Sequence, residues 1–381
     1  MSLKICPFNK REVLATRLLF LCAGLATATW ASLIPIIKTR IGIDESTLGF
    51  LLLCLGTGAI FAMPISGALA TKYGCKRILQ VSGILIVVCL PIFALVNSVL
   101  SLAVLLVLFG LSIGTTDCVM NIQAVLVEER SKMPLMSGFH GFYSLGGIVG
   151  AGAVAVLLIA TFSSIEICLA MALVVLLCLL IARGDLLPFA SQTEGPAFAL
   201  PKGPVVLIGV ICFAMFLAEG TVLDWSGIYL MDYQNASNGM AALGIFSFSI
   251  TMTLGRLLGD RIIHFGQRVV LTISGLTASL GLLIAIASMN FYLALFGYVL
   301  MGIGCANVVP IMFSAAGKQT YMSQATAIPA VTTLGYVGVL MGPASVGQIA
   351  HFTSLAVALV VIAILIITAT MLSFFVKVPR V

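Results

Sequence analysis

Apolar segments about 20 residues long follow one another almost without interruption along this chain, near 13–37, 46–70, 77–96, 99–127, 134–160 and 163–182, and again near 204–230, 238–259, 268–288, 291–316, 321–350 and 352–376. A helix rises about 1.5 Å per residue, so roughly 20 apolar residues are what a hydrocarbon layer of about 30 Å requires. The runs are continuous and do not alternate with period two, which favours helices over a transmembrane barrel. Only 8% of residues are charged, against about 25% in soluble domains, and mean hydropathy is +1.21. A soluble helical protein of this length would need far more polar surface. The chain therefore reads as an all-α membrane protein with twelve transmembrane helices.

The polar residues punctuate this pattern. The longest polar interruption holds Arg183, Asp185, Glu194 and Lys202, which divides the chain into a six-helix bundle over 1–182, a linker over 183–203 and a second six-helix bundle over 204–381. If both termini are cytoplasmic, 17 of the 19 Lys and Arg fall on that side, from Lys4 to Arg380, and only Lys38 and Arg40 fall outside. That asymmetry in short loops sets the orientation and agrees with an even helix count. The first run is too long for the apolar core of a cleaved signal peptide. The net charge of +6 is scattered over short loops, so it does not mark a nucleic-acid surface. Most of the ten cysteines lie in apolar runs and no C-x-x-C pair occurs, so they read as small apolar fillers. No residue cluster has metal-ligand spacing, and no cofactor is expected.

The two halves also resemble each other. GALATKYGCKR (67–77) after helix 2 and GRLLGDRIIHFGQR (255–268) after helix 8 share a helix-terminal Gly, a polar or acidic turn, basic residues and a second Gly. Thr29-Trp30-Ala31-Ser32 can be laid over Asp224-Trp225-Ser226-Gly227, and Ile113-Gly114 over Ile303-Gly304, which places Asp117 on Asn307. Repeated halves suit a site near the bilayer midplane exposed to alternate sides by rocking.

Twelve spans, a central linker and the loop signature at 67–77 resemble the major facilitator superfamily. HGFYSLGG (140–147), AEGTVLDW (218–225) and LGYVGVLMGPASVG (334–347) resemble its YbjJ-type branch of bacterial inner-membrane transporters. The resemblance implies that helices 1, 4, 7 and 10 line a central cavity. It also implies a gating role for Gly67, Thr71, Lys72, Gly74 and Arg77 in the first half, and for Arg256, Asp260 and Arg261 in the second. Two positions depart from the family pattern. Thr71 stands where the signature usually carries Asp, and Leu33 stands where an arginine is expected before Ile34-Pro35. The helix 5 run also lacks the Gly-Pro of the antiporter signature.

Within the spans, ionisable residues are the functional candidates, because a charge at the bilayer centre costs roughly 2.5 to 3.5 kcal/mol on insertion scales. Glu219, in the middle of helix 7, is the expected proton-coupling acid, with Asp117 and His140 assisting. Asp224 and Trp225, nearer the periplasmic end, are expected to bind substrate or brace helix 7. Asn121 lies about 40° around helix 4 from Asp117. Thr27, Trp30, Asn307 and Tyr336 complete the polar cavity candidates. Glu128 reads as a solvated helix-end charge near Arg130 and Lys132. The small-residue faces of helices 5 (Gly146, Gly147, Gly150, Gly152) and 11 (Gly335, Gly338, Gly342, Gly347) suit either rocking contacts or plain tight packing.

The resulting expectation is a secondary active transporter, a monomer among membrane lipids. It would move a small solute across the bacterial inner membrane by alternating access, with protons coupled through Glu219. Three acids and no basic residue in the expected cavity favour a neutral or cationic substrate. The alternatives are a transporter-like ligand sensor or adaptor without flux, and a drug or metabolite exporter.

Overall fold

The computed structural model describes residues 9–43, 45–190, 200–236 and 238–377. Lys4, Glu194, Arg380 and the rest of the linker's middle lie outside the described residues. The described chain forms thirteen α-helices: α1 (Lys10–Ile41), α2 (Glu45–Tyr73), α3 (Cys75–Phe93), α4 (Val99–Ser131), α5 (Met136–Ile159), α6 (Ser164–Ala182), α7 (Pro204–Gln234), α8 (Asn238–Ile262), α9 (Gln267–Ala287), α10 (Phe291–Cys305), α11 (Val308–Lys318), α12 (Gln324–Phe352) and α13 (Leu355–Ser373). Twelve spans are long and apolar enough to cross a membrane, with α10 and α11 forming one of them.

Local chemistry sets the ends. Asn9 caps α1 by accepting from the Arg11 N–H, and Gly42 closes that helix in the left-handed region at φ 73°. Ser163 and Glu166 form a reciprocal capping box at the start of α6. Arg40 holds the end of α3 by donating to the carbonyls of Phe93, Ala94 and Val96 at 2.6 to 2.9 Å. One of the two basic residues on the expected outer side thus has a structural task at a helix C-terminus.

The contacts divide the described residues into two compact units. One holds α1–α4, α5 from Phe142 onward, α6 and the residues that follow it. The other holds the first turn of α5, Met136–Gly141, together with α7–α13. In the first unit α5 lies against α1 so closely that a Cβ on Gly146 would fall 2.2 Å from the Leu21 carbonyl oxygen. In the second unit α12 lies against α7 in the same way, and a Cβ on Gly338 would fall 2.3 Å from the Phe213 carbonyl oxygen. Gly146 and Gly338 thus each allow a close helix–helix approach inside their own unit.

The tenth span is broken where its repeat partner is not. Pro310 has no N–H to offer the Ala306 carbonyl four residues back, and its ring crowds that oxygen. The helix stops at Cys305 and restarts at Val308. In the repeat alignment Met120 occupies the corresponding position, and α4 runs unbroken for 33 residues.

Candidate functional site

The break sits beside a buried ion pair in the second unit. Glu219 on α7 and Arg256 on α8 are 8% and 5% exposed. The Arg256 Nη2 donates to both carboxylate oxygens of Glu219 at 3.1 Å. Its Nε donates to the Ala306 carbonyl at 3.3 Å, the oxygen that Pro310 deprives of a helical partner. The adjacent Asn307 is 3% exposed and donates from Nδ2 to the Gly255 carbonyl at 3.2 Å, while its Oδ1 has no hydrogen-bond partner. Three helical spans thus converge on one charged constellation, and a sequence-encoded helix break supplies one of its acceptors.

Arg256 corrects two expectations. It lies inside α8 and faces Glu219, so it is not a loop residue. It also places a buried cation beside the central acid, which removes the ground for favouring a neutral or cationic substrate. Its partners Asp260 and Arg261 lie at the end of the same helix. Asp260 accepts from the Gly138 N–H at 3.0 Å, in the first turn of α5, whose N-cap Leu135 offers no side-chain cap. Arg261 is exposed. His140, 8% exposed, has its ring 5.6 Å from that of Phe313 on α11.

Other candidates fall elsewhere. Asp224 is exposed. The Trp225 ring lies against Gly347 of α12, and its buried Nε1 has no acceptor. Tyr336 is half-buried on α12. In the first unit Asp117 is half-buried on α4. Asn121, 1% exposed, donates to the Asp117 backbone carbonyl at 2.8 Å and keeps an unpartnered Oδ1. Thr27 is half-buried, and its hydroxyl is satisfied by the Ala23 carbonyl of its own helix. Trp30 is 3% exposed and packs on Phe93 at 4.3 Å between ring centroids. Glu128 is 5% exposed, not solvated; its Oε2 accepts from the Leu135 N–H at 2.9 Å and ties down the turn into α5.

The loop signature of the first half holds the linker. Gly74 sits at φ 81°, and a Cβ there would fall 2.1 Å from the Pro188 carbonyl oxygen. The Lys76 N–H donates to the Leu187 carbonyl at 2.8 Å, and the Leu187 N–H donates to Oε1 of the buried Gln123 at 3.1 Å. Arg130 pairs with Glu12 at 3.1 Å and stands over the Phe189 ring. Gly67, Thr71 and Lys72 belong to the end of α2 and Arg77 to the start of α3; the Thr71 hydroxyl is satisfied by the Gly67 carbonyl. Among the described residues, no group of three or more His, Cys, Asp or Glu could hold a metal ion.

Twelve spans long and apolar enough to cross a membrane, three of them joined around a buried ion pair, define a multi-pass membrane protein. Residues 18–264 match the Major Facilitator Superfamily, and the chain belongs to that family. It is 44% identical over 359 residues to an uncharacterized MFS-type transporter of Yersinia pestis, with 94% of each chain covered. It is 33% identical to the uncharacterized transporter y4wD of Sinorhizobium fredii, covering 87% of this chain and 89% of the relative. The fold is shared with the transporter FucP, solved in the outward conformation and described as a fucose:proton symporter, at a TM-score of 0.80 and 16% identity over 97% of this chain and 99% of that one.

Proposed function

We propose that this protein is a proton-coupled secondary transporter of a small solute, with Glu219 as the acid that loads and releases the proton and Arg256 as its counter-charge. The observation that carries the reading is the Glu219–Arg256 pair set against the break at Ala306. A buried pair is weak evidence for stability, since apolar residues of similar volume often serve as well. An ionic pair in the middle of an apolar span is therefore better explained by use. The description of FucP as a proton symporter is in keeping with this. Residues 1–182 and 204–381 would act as the two moving bundles, joined by 183–203, in a bacterial inner membrane with both termini cytoplasmic. Asp117, Asn121, Asn307 and Tyr336 would contribute to substrate contact, and Asp260 to gating.

The test is reconstitution into vesicles loaded with a pH-sensitive dye and challenged with fractionated metabolite extracts under an inward proton gradient. Wild-type vesicles are expected to acidify internally when a transported fraction is added, and Glu219→Gln vesicles are not. Full gradient-driven uptake by Glu219→Gln would remove the assignment.

A further inference from the structure

We infer that a groove between the start of α1 and the end of α6 binds one phospholipid with a primary-ammonium headgroup, a phosphatidylethanolamine, its phosphate on Arg11 and its ammonium on Asp185. The inference goes beyond the transport reading and does not rest on it. The groove has a volume of about 230 Å³ and is lined by Arg11, Leu14, Ala15, Leu18, Ile181 and Asp185, all in the first unit. The four α1 residues fall at i, i+3, i+4 and i+7, so they share one face of that helix. The volume lies below the roughly 300 to 1,000 Å³ of sites for drug-sized ligands. It suits a headgroup that leaves its acyl chains outside.

The groove opens onto a surface made for hydrocarbon. Leu14 is 51% exposed and Ile181 is 63% exposed. Ile181 ends a row of exposed apolar side chains spaced four apart along α6, Leu169, Leu173 and Leu177. On a helix long and apolar enough to span a membrane, such a row is the face that meets lipid chains. Chains lying along it would reach the groove where the apolar span ends and charged side chains begin.

The rim carries one charge of each sign, and the two are not paired with each other. Arg11, the second residue of α1, is exposed, and its guanidinium has no hydrogen-bond or ion-pair partner among the described residues. Asp185 is half-buried; its Oδ1 accepts from the Asn9 Nδ2 at 3.3 Å, and its Oδ2 has no partner among the described residues. Glu12, close enough to Asp185 to feel its charge, is buried and paired with Arg130, so it does not compete for the lipid. Lys10 and Arg183 are exposed beside the groove and do not line it. A guanidinium fork matches phosphate oxygens, and an ammonium brings three N–H donors to a carboxylate. A choline headgroup has no N–H for Asp185, and a purely anionic headgroup would set its charge against that carboxylate. A lipid seated this way would join the first turn of α1 to the residues that lead out of α6, a contact to which Asn9 already contributes.

The test is native mass spectrometry of the purified, delipidated full chain with an equimolar mixture of dioleoyl phosphatidylethanolamine, phosphatidylcholine and phosphatidylglycerol. The first lipid retained is expected to be phosphatidylethanolamine, favoured about fivefold over phosphatidylcholine, the factor that one good exposed ion pair supplies. Asp185→Asn, which can still accept from Asn9, should abolish that preference and admit more phosphatidylglycerol. Arg11→Gln should weaken retention of phosphatidylethanolamine and phosphatidylcholine alike, by about fivefold, because both present a phosphate. Arg183→Gln removes a charge beside the groove and should change neither quantity. Wild type supplies a measurement that needs no variant, since retention should fall with each methyl group added to the ammonium. Equal retention of the three lipids, a preference for phosphatidylglycerol, indifference to N-methylation, or an Arg183→Gln effect as large as that of Arg11→Gln would overturn the inference.

Discussion

Breaking the Glu219–Arg256 pair from its two sides should have unequal, pH-dependent effects. Glu219→Leu leaves a guanidinium that cannot discharge, and such a loss costs about 3 to 5 kcal/mol at any pH between 5 and 8. Arg256→Met leaves an acid that can become neutral by binding a proton. Taking a carboxyl's ordinary value of about 4.3 and 1.36 kcal/mol per unit, holding it protonated costs roughly 3.7 kcal/mol at pH 7 and roughly 1 kcal/mol at pH 5. Between those values the folded Arg256→Met protein carries a proton that the unfolded chain has released, so its stability rises as pH falls. Relative to wild type, the deficit of Arg256→Met should therefore shrink by up to about 2.7 kcal/mol from pH 7 to pH 5, while that of Glu219→Leu should not. The double variant, with two apolar side chains in contact, should be less impaired than Glu219→Leu alone. Unfolding in detergent followed by the fluorescence of the two tryptophans, Trp30 and Trp225, the latter on the same helix as Glu219, measures all four proteins. Equal deficits for Arg256→Met at both pH values would show that the two side chains are not an energetically coupled pair.

Substitutions at four further positions examine other parts of the structure. Arg40→Ala removes three donors from the carbonyls ending α3 and should destabilise the protein by about 1 to 2 kcal/mol. Arg40→Lys should recover little of this in the same thermal assay, because one ammonium cannot replace the fork. Gly338→Val pushes a side chain into the Phe213 backbone and should sharply reduce the yield of folded protein on size-exclusion chromatography, by overpacking worth at least about 1 to 3 kcal/mol. Gln123→Leu leaves the Leu187 N–H without its acceptor, at a local cost of about 1 to 3 kcal/mol. Trypsin should then cut at Arg183 faster than in wild type while the midpoint of global unfolding moves little. Asp260→Ala uncaps the first turn of α5 by about 1 kcal/mol, and hydrogen exchange at Gly138 should speed up several-fold.

The spans were legible because a bilayer demands a local property, about 20 consecutive apolar residues, that any window along the chain can read. Glu219 was legible for the same reason, since a charge is conspicuous against an apolar run. Its partner was not. Arg256 follows a Gly near the end of a span and heads a row of basic residues, a pattern that matches an interfacial loop equally well. Only the continuation of α8 to Ile262 places it inside. Trp30 was ambiguous for a different reason. A tryptophan in a span is equally compatible with a cavity wall and a core, and the ring it packs on, Phe93, which in turn packs on Phe109, lies more than 60 residues away.

One signal for the site was nevertheless present in the sequence. Pro310 stands in the tenth span where the first half has Met120, and a proline inside a helix frees the carbonyl four residues earlier. In an apolar span that carbonyl must find a donor. The strongest donors nearby in an apolar half-chain are its few basic residues, and of these Arg256 is the one whose span packs against the break. Pairing repeat-breaking prolines with the rare in-span cations would have placed Arg256 beside Ala306. A guanidinium held there needs a carboxylate within reach, and Glu219 answers that need.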